Sequence, residues 1–142
     1  MHKLGIKIKF DIDIMKFISL FENITRINAK DCFKQGDKLV FIVNEGQAGK
    51  AVGKGGYNIK KLERLLKRKV KIVEFNPDLI EFVKNVIHPM QAKEINEKEG
   101  IVTIKSIDSV TRGYLIGRGA VNLRQFEDVV KRYFDIKEMR VV

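Results

Sequence analysis

Tryptophan is absent from these 142 residues, cysteine occurs once, and proline and histidine occur only twice each. Cys32 has no second cysteine to join, so no intrachain disulfide staples the fold. His2 and His88 have no neighbouring ligands and make no metal cluster. No apolar run approaches the length that spans a bilayer. The opening Met1-His2-Lys3-Leu4-Gly5-Ile6-Lys7 lacks the apolar core and small-residue cleavage site of a secretory signal. These absences lead us to expect a cytoplasmic protein with no membrane partner and no cofactor. Low-complexity tracts are missing too, and a 44% hydrophobic content is a globular balance. High Ile, Lys and Glu beside few Gln fit a thermophilic source.

Acid is also short. Eighteen Asp and Glu face twenty-eight Lys and Arg, a net charge of +10 and a pI near 9.7. A field of that sign gathers polyanions and speeds their association. A generic solvated surface would carry such charge evenly, whereas here the cations cluster around a repeated motif.

That motif is Gly49-Lys50-Ala51-Val52-Gly53-Lys54-Gly55-Gly56-Tyr57-Asn58-Ile59-Lys60. It returns as Gly113-Tyr114-Leu115-Ile116-Gly117-Arg118-Gly119-Ala120-Val121-Asn122-Leu123-Arg124, at a constant offset of 64. A repeat of this length means two copies of one small unit. The chain is long enough for one ordinary domain or two very small ones, and thin cores would lead two to pack together. We expect a first domain over residues 1–75 and a second over 76–142.

Periodicity gives the order of elements. Residues 6–10 read as a short strand or arm, with Asp11 or Asp13 capping a helix marked by Ile14, Phe17, Ile18 and Phe21. A hairpin over 29–34 and 39–43 turns at Gln35-Gly36-Asp37. A short helix over 44–52, the glycine loop, a helix striped by Ile59, Leu62, Leu65 and Leu66, and a strand over 70–75 follow. Asn76-Pro77 then reads as a helix cap with proline in the first helical position. The order runs again: a helix stopped at His88-Pro89, a hairpin over 91–98 and 101–106, and a short helix capped by Asp108 or Ser109. The second loop, a helix over 121–133 and a strand over 136–142 end it. This is an α+β chain made of two like units.

Each loop reads Gly-cation-Gly-small between helices. Amides at the start of the following helix are expected to lack partners, and Lys54 or Arg118 adds full charge, so the loop suits a phosphate. A plain αα turn with an exposed Lys54 would explain one copy, but not two in the same context. Nucleotide motifs do not fit. A Walker loop would need glycine at Asn44 and a hydroxyl at Ala51, and the dinucleotide pattern would need glycine at Asn58. Glu94, Glu97 and Glu99 read as a solvated hairpin face rather than a catalytic pair, so no enzyme is indicated.

Val52-Gly53-Lys54-Gly55-Gly56 followed by Ile59 resembles the Gly-x-x-Gly signature of KH domains, and Ile116-Gly117-Arg118-Gly119-Ala120 resembles a second copy. The order of elements is similar to the prokaryotic, type II KH arrangement. Two units in succession over about residues 14–142, the second opened by Glu81-Phe82-Val83-Lys84-Asn85-Val86-Ile87-His88-Pro89, resemble the tandem KH part of NusA-type transcription factors in their short archaeal form. The resemblance implies two KH domains packed as one unit, binding single-stranded RNA in transcription termination, antitermination or elongation. It admits RNA polymerase or the elongation complex as a protein partner. KH modules also serve ribosomal RNA maturation and ribosome association, so those roles stay open; a phosphate-handling enzyme and a structural partner protein are more distant alternatives.

Carried onto this chain, the clamps are Gly53, Lys54, Gly55 and Gly56, then Gly117, Arg118, Gly119 and Ala120. Lys50, Asn58, Lys60, Arg112, Asn122 and Arg124 flank them as further RNA-binding residues. Val52, Ile59, Ile116 and Leu123 are groove or core, with core favoured for Ile59 and Leu123. Tyr57 and Tyr114 either stack on bases or pack at an edge. Ala120 departs from the signature. Alanine is expected to exclude the positive φ that glycine allows, which would leave the first unit the stronger binder.

Overall fold

The computed structural model describes residues 12–142. The arm expected over residues 6–10, the cap at Asp11 and His2 lie outside the described residues. Two compact units divide the chain after Asn76, the second running Pro77–Val142. Both are α+β.

In the first unit, helix α1 (Ile12–Thr25) precedes strands β1 (Ala29–Gln35) and β2 (Lys38–Val43). Helix α2 (Ala48–Val52), a 3-10 turn (Lys54–Gly56), helix α3 (Tyr57–Leu66) and strand β3 (Lys69–Glu74) complete it. β1 and β2 pair antiparallel and β2 and β3 parallel, in the order β1-β2-β3. The second unit repeats the plan with α4 (Leu79–Ile87), β4 (Ala92–Lys98), β5 (Ile101–Ser106), α5 (Ser109–Ile116), a 3-10 turn (Arg118–Ala120), α6 (Val121–Lys131) and β6 (Glu138–Val141). Its sheet order is β4-β5-β6 with the same senses. Both hairpins slip register at the same repeat position, between Ala29 and Asp31 and between Ala92 and Glu94.

Several expectations need correction. The cap of α4 is Asp78, whose carboxylate accepts the Glu81 amide at 3.0 Å, so Pro77 precedes the cap instead of following it. Asn76 reaches back to Glu45 instead, at 3.4 Å. Asp13 lies inside the first turn of α1. α2 starts only at Ala48, because an Asn44 carbonyl to Gln47 amide turn takes up the preceding residues. Of the two proposed caps for α5, Asp108 holds the position and accepts from the Thr111 amide at 2.7 Å.

Alternation decides what each strand buries. Leu39, Phe41 and Val43 join Phe21, Cys32, Ala51, Leu62 and Val70 in the first core, where the rings of Phe21 and Phe41 stack at 4.3 Å. Val40 and Ile42 point to the opposite sheet face and are buried as well. In the second unit Phe82 packs against Tyr133 and Phe134, each at 5.6 Å. Among the described residues no helix is long and apolar enough to cross a membrane. Nor do three His, Cys, Asp or Glu gather as a metal site there.

Lys71 pairs with Val40 across β2 and β3, on the sheet face opposite the helices. Burial there pushes its pKa down to about 8, and the charge of Lys38 adds to the effect. The unfolded chain therefore binds a proton that the folded chain releases between about pH 8 and 10.5, so this residue makes stability rise with pH across that window. The shift corresponds to an upper bound on the order of 3 kcal/mol. Lys71→Met should raise the urea midpoint at pH 7 and flatten its rise between pH 8 and 10.5 relative to wild type. Parallel titration curves for the two proteins would contradict this.

Candidate nucleic-acid interface

A parallel return from β2 to β3 requires a crossover, and here two helices meet at a tight corner to supply it. Gly53 closes α2 by donating its amide to the Gly49 carbonyl at 3.1 Å, then turns at φ 82°, ψ 163°. A side chain at Gly53 has no room. Its Cβ would stand 2.9 Å from the Asn58 side chain and 3.0 Å from the Asn58 amide nitrogen. Gly117 repeats the situation at φ 75°, ψ 174°, with Asn122 at 2.7 Å. The close approach lets Asn58 Nδ2 donate to the Lys50 carbonyl at 3.3 Å, and Asn122 Nδ2 to the Tyr114 carbonyl at 2.8 Å. These two asparagine side chains brace the corner.

The amides expected to be unpaired are in fact paired. Gly56 donates to Gly53 and Tyr57 to Lys54, as Ala120 does to Gly117 and Val121 to Arg118. The free amides sit one step earlier. Among the described residues Lys54, Gly55, Arg118 and Gly119 find no acceptor for their N–H groups, and all four residues are exposed. Successive free amides beside a cationic side chain are the arrangement from which anion-binding nests are built. Each corner carries such a pair of exposed amides.

Ala120 overturns its expectation. It stands at φ 62°, ψ 21°, beside φ 76°, ψ 17° for Gly56, so the alanine corner keeps the left-handed shape. Closure of the turn overrides a local preference of about 1–2 kcal/mol. The backbone therefore gives no reason for the second corner to bind less.

Lys50, Lys60, Arg112 and Arg124 are exposed around the two corners. Arg124 is shared: its Nη1 lies 2.8 Å from Glu127 Oε2. Leu123 is buried core, while Val52, Ile59 and Ile116 are half-buried. Tyr57 and Tyr114 border the corners and are 63% and 60% exposed.

A glutamate tie escaped the reading of the sequence. Glu63 accepts the Val70 amide at 2.9 Å, and Glu127 accepts the Met139 amide at 2.7 Å, fixing the helix after each corner to the closing strand. The signal was available, since Glu63 and Glu127 differ by the same 64. Glu127 is only 6% exposed and also faces Lys131 at 3.7 Å.

Glu127→Ala should cost about 1–3 kcal/mol in urea unfolding, because it strands the buried Met139 amide. Glu63→Ala should cost less. Gly53→Ala or Gly117→Ala should each cost more than about 2 kcal/mol, whereas Ala120→Gly should gain up to about 1 kcal/mol. A neutral Gly53→Ala would show that the Asn58 brace does not shape the corner.

Comparison with known proteins agrees with this architecture. Residues 17–91 match the KH domain family. A protein of Methanococcus vannielii, described as a probable transcription termination protein NusA, is 31% identical over 96% of this chain and 80% of its own. One of the same description from Methanocaldococcus jannaschii is 32% identical over 92% of this chain and 72% of its own. Among solved structures, that of APE1850 superposes with a TM-score of 0.76 at 31% identity, covering 94% of this chain and all of that one. With a KH match over half its length and relatives of this identity along nearly all of it, the chain belongs to the archaeal NusA-like family of KH-domain proteins.

Proposed function

We propose that this protein binds single-stranded RNA with both glycine corners and acts on transcription, in termination, antitermination or elongation, with the elongation complex as its setting. It is a binding protein and not an enzyme. The observation that carries the reading is the recurrence, 64 residues apart, of two exposed unpaired amides beside a cation. In each unit the amides and the side chains of Lys54 or Arg118 take phosphate oxygens, which position the strand without reading its bases. Lys50, Lys60, Arg112 and Arg124 add charge nearby, while Asn58 and Asn122 act by shaping the corner. Residues 1–75 and 76–142 serve as the two modules, and joining them on one chain raises avidity with no new contact.

Charge ranks the modules. Residues 12–76 carry fourteen Lys and Arg against seven Asp and Glu, and residues 77–142 carry eleven against ten. The first module is accordingly the stronger, for electrostatic reasons and not because of Ala120.

The corners also indicate how to test the reading without unfolding the chain. Gly55 and Gly119 have open space where a Cβ would sit and left-handed φ of 62° and 63°, which aspartate tolerates. Lys54→Asp and Gly55→Asp with Arg118→Asp and Gly119→Asp should abolish RNA binding and leave the circular dichroism unchanged. For about five phosphates held by the corners, the log K against log salt slope should lose about 3.5. The first pair alone should weaken binding more than the second. Full affinity in the fourfold variant would refute the assignment.

A further inference from the structure

At the end of α3 away from its corner, the β1–β2 turn and the start of β3 frame an open groove of about 700 Å³, lined by Gly36, Asp37, Glu63, Lys67, Arg68 and Lys69. Resting on the RNA reading above, we propose that this groove is a second phosphate-binding site of the first unit, which takes the same single strand beyond the reach of the glycine corner.

Three observations support it. First, α3 has ten residues, so corner and groove lie about 15 Å apart along its axis. Lys60, Arg64 and Lys67, spaced by four and three, are all exposed and form one cationic ridge between them. Second, the groove's three cations outnumber its two carboxylates and are not ion-paired with them. Asp37 and Glu63 line it, yet neither is within ion-pair distance of Lys67, Arg68 or Lys69, and Glu63 is committed to the Val70 amide. Third, the cations are crowded at a cost to the free protein. Lys38 and Lys69 are direct cross-strand partners, and Lys69 lines the groove. Like charges directly opposite destabilise a sheet, Asp37 offsets only part of this at Lys38, and an anion held at Lys69 relieves the pair further.

A helix C-terminus attracts cations, which accounts for Lys67 and Arg68 but not for the ridge or the strand lysines. Arg68 is held in place over the Phe17 ring at 5.8 Å. The second unit differs: Lys131, the repeat of Lys67, faces Glu127 at 3.7 Å, and after α6 the chain inserts Tyr133 and Phe134, which pack on Phe82.

The test uses the full chain and labelled uridine strands of about four nucleotides, one module's length, and about twelve. The variant Lys67→Gln/Arg68→Gln/Lys69→Gln should bind the long strand at least about fivefold more weakly, with about 2 lost from the salt slope, and the short strand unchanged. Lys67→Arg/Lys69→Arg should behave as wild type. Unchanged long-strand affinity and slope, or equal loss on both lengths, would overturn the inference while wild-type binding upheld the broader reading. A wild-type chain that bound neither strand would defeat both.

Discussion

The missing Cβ at Gly53 and Gly117 is the constraint on which each corner depends. Asn58 and Asn122 fill the space a methyl would occupy and donate to the carbonyls that end α2 and α5. With the brace in place, the turn closes through the next amides, at Gly56 and Ala120. The pair left over belongs to the two exposed residues in the middle of the corner. Chain geometry thus determines which amides face solvent, and the added cation at Lys54 or Arg118 makes that pair attractive to an anion. The sheets, the cores and the glutamate ties hold two helices at the angle the corner needs.

Much of this was legible because the information was local or repeated. Alternation through residues 39–43 marked β2, and the glycine spacing marked both corners. Where local signals compete, the reading slipped. Asn76-Pro77-Asp78 offers two capping side chains, and the preference for proline in the first helical position pointed to Asn76. The Glu81 amide instead reaches Asp78, and Asn76 goes to Glu45, a partner 31 residues away. Ala120 slipped for the opposite reason. An intrinsic backbone preference was weighed alone, while the surrounding turn, fixed by Gly117 and Asn122, set its φ. Long-range ties such as Glu127 to Met139 leave no mark in a local window, although the recurrence of Glu63 was a clue.

The second unit shows how one plan diverges without losing its corner. Six residues, 132–137, join α6 to β6, where only Lys67 and Arg68 join α3 to β3. The longer link lets Tyr133 and Phe134 pack on Phe82, where in the first unit Arg68 stands over Phe17.

Position 60 and its repeat, position 124, carry the contrast into electrostatics. Lys60 and Arg124 follow their corners at the same distance and are both exposed. Lys60 makes no ion pair with a described residue. Arg124 is drawn to Glu127, which is buried enough to hold it at 2.8 Å. The glutamate that ties helix to strand in both units therefore withdraws a cation from the second corner only. A phosphate arriving there would compete with a partly desolvated carboxylate for Arg124, a competition absent at the first corner. Under the proposed reading, two corners of nearly identical backbone bind with different strength because of what their flanking cations already hold.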